Sequence, residues 1–193
     1  MDASGRRNQK NYRSLLQSLS RPGRVVRLAD LAGVPPLSAA MAIAECLLDS
    51  EVGFCVDDSS CAHGLQRAIA EATGARTECL EAADFVFFSE GDSRGGVRRA
   101  KRGRSEFPEE GATLVYCLES PPADVSDRFR VRLTGPGIPG PSGIAPEMPG
   151  IPVQEFQDLM IVNADYPLGV DAFFVRPNGE VMGLPRSTRI RVR

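Results

Sequence analysis

The stretch Phe-Phe-Val-Arg-Pro-Asn-Gly-Glu-Val-Met-Gly-Leu, residues 173–184, decides the fold class of this chain. Its centre is Asn178-Gly179, and Asn-Gly between two apolar runs is the strongest short signal for a β-hairpin. We therefore predict antiparallel strands over Val170–Val175 and Glu180–Leu184. Upstream, the continuous apolar run Ala112–Leu118 predicts a strand that is covered on both faces, as in a parallel sheet.

Outward from this region, segments with strand character alternate with segments of helical periodicity. Apolar residues at helical spacing predict helices over Asn11–Leu19, Ala39–Leu48, Cys61–Ala72 and Pro152–Val162. Short apolar or alternating runs predict strands over Arg24–Leu28, Val52–Val56, Thr77–Leu80, Asp84–Phe88 and Phe129–Leu133. Alternating strands and helices followed by a hairpin indicate an α/β fold, a three-layer sandwich around a mixed sheet.

Length and composition indicate a soluble domain. Among the 193 residues, the polar segment 1–10 predicts a disordered tail and residues 11–193 predict a single domain. The net charge of −2 argues against a nucleic-acid partner. The polar N-terminus predicts no secretory leader, and the longest apolar run is too short to span a membrane. Five cysteines without a CxxC pair fit a reducing cytoplasm.

Charge is distributed unevenly along the chain. Residues 45–92 carry eleven acids against two arginines, whereas residues 94–104 carry five arginines and Lys101. The basic segment Arg94–Arg104, whose helix or loop character the sequence leaves open, is either a solvated loop or a contact for a phosphorylated molecule or an acidic partner.

A second basic cluster, Arg186-Ser187-Thr188-Arg189, lies just after the predicted hairpin. Arg189, Arg191 and Arg193 alternate with other residues, as on a charged edge strand. Together with the upstream strand, this cluster supplies three candidate contacts for phosphate or a partner, Arg132, Arg186 and Arg189.

Gly135-Pro136-Gly137-Ile138-Pro139-Gly140 matches the G-x-G-x-x-G pattern of dinucleotide-binding loops and follows a predicted strand. Such a loop binds pyrophosphate through backbone N–H groups and the start of a helix. Pro136 and Pro139 have no N–H to donate, and further prolines prevent a helix from following directly. The sequence therefore favours a rigid surface loop over a cofactor loop.

Other candidate chemistries lack the residues they require. His63 is the only histidine, and its spacing from Cys55 and Cys61 matches no common zinc pattern, so we expect no metal site and a capping or surface role for His63. The only lysines are Lys10 and Lys101, both in polar segments. A pyridoxal phosphate (PLP) enzyme needs a buried, positioned lysine, so we expect no PLP cofactor.

An ordered set of stretches resembles the PhnH family. The members of this family are subunits of the bacterial carbon–phosphorus lyase core complex. These stretches span nearly the whole chain: Tyr12–Leu16, Ser20–Gly23, Leu47–Asp49, Pro108–Leu114, Arg132–Ile138, Pro167–Asp171 and Leu184–Thr188. No single stretch is diagnostic, and the ordered set carries the resemblance.

The resemblance implies a role in phosphonate catabolism with the partner subunits PhnG, PhnI and PhnJ. That system attaches a phosphonate to the ribose of a nucleoside triphosphate and later breaks the carbon–phosphorus bond. The PhnH subunit is assigned to the first step, formation of ribose 1-phosphonate 5-triphosphate. The resemblance also implies a homodimer and a fold similar to PLP-dependent transferases but without the cofactor lysine. It provides no catalytic residue.

Three functions therefore remain open at the level of sequence. The first is an assisting subunit of the phosphonate-processing complex that is inactive alone. The second is a self-sufficient enzyme that grips the phosphate of a nucleotide or phosphosugar with Arg132, Arg186 or Arg189. The third is a vestigial PLP-fold binding module, which would retain a visible chromophore.

Overall fold

The computed structural model describes residues 3–29, 31, 37–57, 62–118 and 131–193. Its α-helices are α1 (Ala3–Ser20), α2 (Ser38–Leu47), α3 (Ala62–Thr73) and α4 (Val153–Val162), and a short 3-10 helix covers Gly96–Arg99. Its strands are β1 (Val25–Arg27), β2 (Gly53–Val56), β3 (Arg76–Thr77), β4 (Phe85–Phe88), β5 (Arg102–Arg104), β6 (Phe107–Gly111), β7 (Thr113–Cys117), β8 (Val131–Thr134), β9 (Asp171–Val175), β10 (Glu180–Leu184) and β11 (Arg189–Val192). None of the described helices has the length and apolar character needed to cross a bilayer.

The largest sheet contains seven strands in the order β1-β10-β9-β7-β4-β2-β3. Strands β3, β2, β4, β7 and β9 run parallel to one another. Strand β10 runs antiparallel to both of its neighbours, β9 and β1. The predicted hairpin around Asn178-Gly179 is therefore confirmed, and so is the α/β fold with a mixed sheet.

Both faces of this sheet are buried. Side chains along its central strands point alternately to the two faces, and each face lies against its own apolar cluster. Leu114 and Tyr116 of β7 belong to one apolar cluster, whereas Val115 and Cys117 belong to the other. The first cluster includes residues from α4, the 3-10 helix and a separate two-stranded sheet formed by β8 and β11. The second includes residues from α1, α2 and α3. The sheet thus has a packed layer on each side.

Aromatic rings attach α4 to the sheet. Tyr116 stacks on Phe174 with ring centroids 4.6 Å apart, and Phe88 lies 4.9 Å from Tyr116 on the other side. Phe156 of α4 continues the row, at 6.1 Å from Phe174. Offset aromatic contacts of this kind add to the hydrophobic gain from burial. The row therefore fixes the position of α4, which borders the candidate site described below.

Helix α1 begins at Ala3, within the segment over residues 1–10 for which the sequence predicts a tail. A guanidinium nitrogen of Arg7 lies 2.9 Å from a carboxylate oxygen of Glu45. The amide of Asn8 donates a hydrogen bond of 3.3 Å to the Glu45 carbonyl. These polar contacts tie the first turns of α1 to α2. The hydrophobic periodicity begins only at Tyr12, so it could not report them.

Two further segments differ from the sequence prediction. The strand predicted over Thr77–Leu80 is confined to Arg76–Thr77. The segment Arg94–Arg104 contains the 3-10 helix and β5, and β5 pairs with β6 in a hairpin that the sequence did not indicate. That hairpin is rich in charged residues and contains a proline, so it lacks the apolar alternation of a predictable strand.

Two adjacent leucines of α1 should differ in their contribution to stability, because only one of them is buried. Leu15 is 1% exposed in the second apolar cluster, whereas Leu16 is 50% exposed. Leu15→Ala should lower the free energy of unfolding by about 2–5 kcal/mol, the usual cost of a core cavity. Leu16→Ala should change it by less than about 0.5 kcal/mol. Urea unfolding of both variants measures the difference, and equal effects would contradict this placement of α1.

Candidate functional site

The two-stranded sheet of β8 and β11 presents a row of arginines to solvent. Its register pairs Arg189 with Thr134, Ile190 with Leu133 and Arg191 with Arg132. Leu133 and Ile190 are buried in the first apolar cluster, so the side chains that alternate with them point outward. The exposed residues Arg132, Arg189, Arg191 and Arg193 together form what we call the arginine face.

Within the part of the chain that the structure describes, no neighbouring acid neutralises the charge of the arginine face. None of its arginines forms an ion pair with a carboxylate of the described residues. Arg132 instead donates to neutral carbonyl oxygens, at 2.8 Å to Ser142 and 3.4 Å to Gly143. Arg132 and Arg191 lie directly opposite each other, an arrangement that destabilises an antiparallel pair. Such a surface is suited to binding an anion.

Three hollows border the arginine face. A groove of about 770 Å³ lies between the loop 134–141, the end of α4 and the start of β11, and its walls include Met160 and Tyr166. A cleft of about 430 Å³ is lined by Arg132, Arg193 and apolar residues such as Phe156. A smaller hollow of about 360 Å³ is lined by Arg132, Arg191 and Arg193. All three volumes are in the range of ligand sites.

Arg186 lies at the wall of the groove but is engaged within the fold. Its guanidinium contacts the carboxylate of Asp171 at 2.7 Å, and its backbone N–H donates to the same carboxylate at 2.8 Å. It also donates to the Pro108 carbonyl at 2.6 Å and, at 3.5 Å, to the Gly111 carbonyl. The structure therefore brings the candidates Arg132 and Arg189 onto one face, whereas Arg186 forms a largely buried ion pair.

Two members of the arginine face, Arg191 and Arg193, were not among the candidates predicted from the sequence. The signal that could have found them is the alternation of arginines over residues 189–193, which places them on one side of a strand. The register that joins this row to Arg132 is not visible in the sequence, because β8 and β11 are far apart along the chain.

The basic segment Arg94–Arg104 does not form a comparable surface. Its cations other than Arg102 pair with carboxylates: Arg94 with Glu90, Arg98 with Asp158, Arg99 with Glu81, Lys101 with Asp84, and Arg104 with Glu110. Three of these acids belong to the acidic block 45–92. The charge asymmetry of the sequence is thus largely neutralised within the fold, and the segment is a poor candidate for phosphate binding.

The residues considered for metal or cofactor chemistry do not assemble into a site among the described residues. No group of three histidine, cysteine or acidic side chains there could hold a metal ion. His63 is exposed on α3, and Cys61 lies outside the described residues. Lys101 is held by Asp84, and Lys10 is exposed on α1.

Known proteins are similar to this chain over nearly its whole length. The sequence profile of the family described as "Bacterial phosphonate metabolism protein (PhnH)" matches residues 2–191. The chain belongs to the PhnH family. It is 33% identical over 188 residues to a protein of Stutzerimonas stutzeri named as a C-P lyase subunit protein, HtxG, with coverage of 97% of this chain and 87% of that protein.

A second relative has a more specific name. The PhnH-family chain is 32% identical over 186 residues to the alpha-D-ribose 1-methylphosphonate 5-triphosphate synthase subunit PhnH of Rhizobium meliloti (strain 1021). The alignment covers 94% of this chain and 89% of that protein. The resemblance stated from the sequence is therefore confirmed at the level of the family.

Several of the stretches that carry the family resemblance meet at one junction. Arg186, in the stretch Leu184–Thr188, contacts Asp171 of the stretch Pro167–Asp171. It also donates to the carbonyls of Pro108 and Gly111, which both lie in the stretch Pro108–Leu114. The Gly135–Gly140 loop packs against the same junction, because a Cβ on Gly135 would lie 3.0 Å from the Ser187 carbonyl. These stretches of the PhnH-family chain thus hold the fold together around the groove.

The Gly/Pro loop packs closely against the end of α1. Gly137 has φ 78°, and any side chain there would collide with the Ser20 carbonyl at the end of α1. No helix begins after the loop before Val153. Without a helix N-terminus, the loop lacks the feature that binds pyrophosphate in dinucleotide folds.

A buried acid, Glu155, lies on α4 and contacts Ser93. One of its carboxylate oxygens accepts from the Ser93 N–H at 3.1 Å and from the Ser93 hydroxyl at 3.0 Å. Its other oxygen and the Tyr116 hydroxyl have no hydrogen-bond partner of good geometry among the described residues. Burial raises the pKa of Glu155, and burial together with the Glu155 charge raises the pKa of Tyr116 well above its usual value.

We expect Arg186→Ala to destabilise the fold. Removing the guanidinium leaves Asp171 with only the backbone N–H of residue 186 and removes the contact to two backbone carbonyls, and the pair is only 14% and 24% exposed. The free energy of unfolding should fall by about 2–4 kcal/mol in denaturant titration, near the usual range for breaking a buried ion pair. Arg189→Ala is the matched control, with a change below about 0.5 kcal/mol. A stable Arg186→Ala variant would show that Arg186 is available for other contacts.

Removing one charge of the opposed pair should stabilise the isolated chain. Arg191→Gln relieves the repulsion between Arg191 and Arg132, so the free energy of unfolding should rise by about 0.2–1 kcal/mol. Arg193→Gln, which removes the same charge from a position beyond the last paired residues, should have a smaller effect. Thermal unfolding at low salt compares the two, and destabilisation by Arg191→Gln would contradict the register.

Glu155 should make stability depend on pH. Because its pKa is higher in the folded chain than in the unfolded chain, its contribution is present at acidic pH and is lost as pH rises through the folded pKa. Glu155→Gln retains an acceptor for Ser93 and cannot ionise. The variant should therefore gain stability relative to the parent as pH rises from about 4 to 8. Parallel curves of unfolding free energy against pH would show that Glu155 is not a source of this dependence.

Proposed function

We propose that this chain is an assisting subunit in organophosphonate catabolism. It would act with PhnG-, PhnI- and PhnJ-like subunits in forming ribose 1-phosphonate 5-triphosphate from a nucleoside triphosphate and a phosphonate. The observation that carries the proposal is the family match over residues 2–191, together with two relatives that are named as subunits. In this proposal the catalytic residues belong to the assembly, and the isolated chain is inactive.

The geometry of the chain supports an assisting role. The arginine face offers charge to an anionic partner or ligand, but among the described residues the groove is lined by no histidine, cysteine, lysine or carboxylate that could activate a hydroxyl. Buried Glu155 is adjacent to Ser93 and Tyr116 and is not among the residues that line any of the three hollows. A surface built for contact is therefore better developed than a reaction centre.

Further properties belong to the same proposal. We infer a cytoplasmic homodimer for the isolated chain, and a fold related to the PLP-dependent transferases that functions without PLP. The mixed sheet with helical layers is consistent with that relation, and the two lysines of the sequence lie at an exposed position and in an ion pair. A purified protein without a visible chromophore is expected.

A second candidate function is supported by the groove itself. Its volume of about 770 Å³, the arginines 189 and 191 at its wall and the exposed ring of Tyr166 would suit a phosphorylated nucleoside. In that case the chain would be a self-sufficient enzyme that holds phosphate with Arg189 and its neighbours. Arg186, assigned to the same role from the sequence, is held by Asp171.

Co-expression distinguishes the two functions. The tagged chain, produced with PhnG-, PhnI- and PhnJ-like subunits, should co-elute with them in size-exclusion chromatography. Alone, it should elute as a dimer, at twice the chain mass of 20.8 kDa, and show no turnover of a nucleoside triphosphate with methylphosphonate. Turnover by the chain alone, or micromolar nucleotide binding by calorimetry without any co-elution, would favour the self-sufficient enzyme and contradict the assisting subunit.

A further inference from the structure

We propose that the arginine face, with the groove and the cleft beside it, is a docking surface for an extended acidic segment of a partner subunit. The proposal deepens the proposed function, because it rests on the chain being a subunit of an assembly. It specifies the surface and the chemistry of its partner, which neither the family nor the named relatives provide.

The spacing of the arginines fits an extended chain. Arg189, Arg191 and Arg193 alternate along β11, so their Cα atoms are about 7 Å apart. A partner segment in extended conformation, with carboxylates at every second residue, presents its charges at the same interval. Arg132 lies beside Arg191 on the neighbouring strand, which widens the basic row to two strands.

The same spacing is less suited to a small anion. From Arg189 to Arg193 the row covers roughly 14 Å of strand. The smaller hollow brings together Arg132, Arg191 and Arg193 but not Arg189. Arg132 is further restrained by its hydrogen bonds to the carbonyls of Ser142 and Gly143. A single phosphate would reach only part of this row, whereas a peptide would cover it.

Apolar groups beside the arginines favour a peptide as well. Met160, Ile161 and Tyr166, at the end of α4, are 39%, 52% and 65% exposed, and Met160 and Tyr166 line the groove. These side chains offer little to a polyphosphate, but they would be buried by an apolar residue of a partner segment. An apolar anchor with a charged surround is the usual composition of a protein interface.

The test measures affinity for the other subunits. The purified chain is titrated against a purified assembly of PhnG-, PhnI- and PhnJ-like subunits by biolayer interferometry at two salt concentrations. Arg189→Gln/Arg191→Gln should weaken binding by about tenfold or more, and the loss should shrink at high salt. Arg67→Gln/Arg76→Gln removes two exposed arginines near α3 and β3, and it should bind within about twofold of the parent.

Three outcomes have distinct meanings. If the parent chain does not bind the other subunits, the proposed function fails and the docking surface fails with it. If the parent binds and the Arg189/Arg191 variant binds equally well, only the docking surface is overturned. If that variant assembles normally but loses binding of inorganic tripolyphosphate, measured by calorimetry, the arginines serve a phosphate ligand and the docking proposal is likewise overturned.

Discussion

The ion pair between Arg186 and Asp171 is the constraint on which the candidate surface depends. Asp171 is the first residue of β9, and Arg186 follows β10. Their ion pair therefore joins the two strands of the β9–β10 hairpin at the end opposite its turn. The same guanidinium binds carbonyls of β6, which attaches the β5–β6 hairpin to this end of the sheet. The chain then leaves Arg186 in a fixed direction toward β11. The position of the arginine face therefore depends on Arg186, which is neutralised by Asp171 and does not belong to that face.

The sequence predicted those elements whose signals are local. The Asn178-Gly179 hairpin and the buried strand around Ala112–Leu118 depend on residues that are adjacent in the chain. The β5–β6 hairpin escaped prediction, because its stability comes from charge pairs and from Arg186, which lies far along the sequence. Arg186 and Arg189 look alike in sequence, and only the distant carboxylate of Asp171 distinguishes the buried cation from the exposed one.

Charge has two different roles in this PhnH-family chain. The acidic block and the basic segment Arg94–Arg104 form ion pairs with each other, so their asymmetry in the sequence does not appear as an equal asymmetry at the surface. The arginine face, with its opposed pair Arg132 and Arg191, forms no ion pair with a carboxylate among residues 3–29, 31, 37–57, 62–118 and 131–193. Retaining like charges at that register costs stability, which an acidic partner would offset on binding. This is the physical reason to place a contact surface there.

Labelling of arginines with phenylglyoxal, read by mass spectrometry, tests the central claim most directly. In the free chain, Arg132, Arg189 and Arg191 should react, whereas Arg186 should remain largely unmodified because its side chain is 14% exposed. In the assembly with the other subunits, the arginine face should become protected and the exposed Arg67 should react as before. Equal labelling of Arg189 and Arg191 in the free chain and in the assembly would contradict the account.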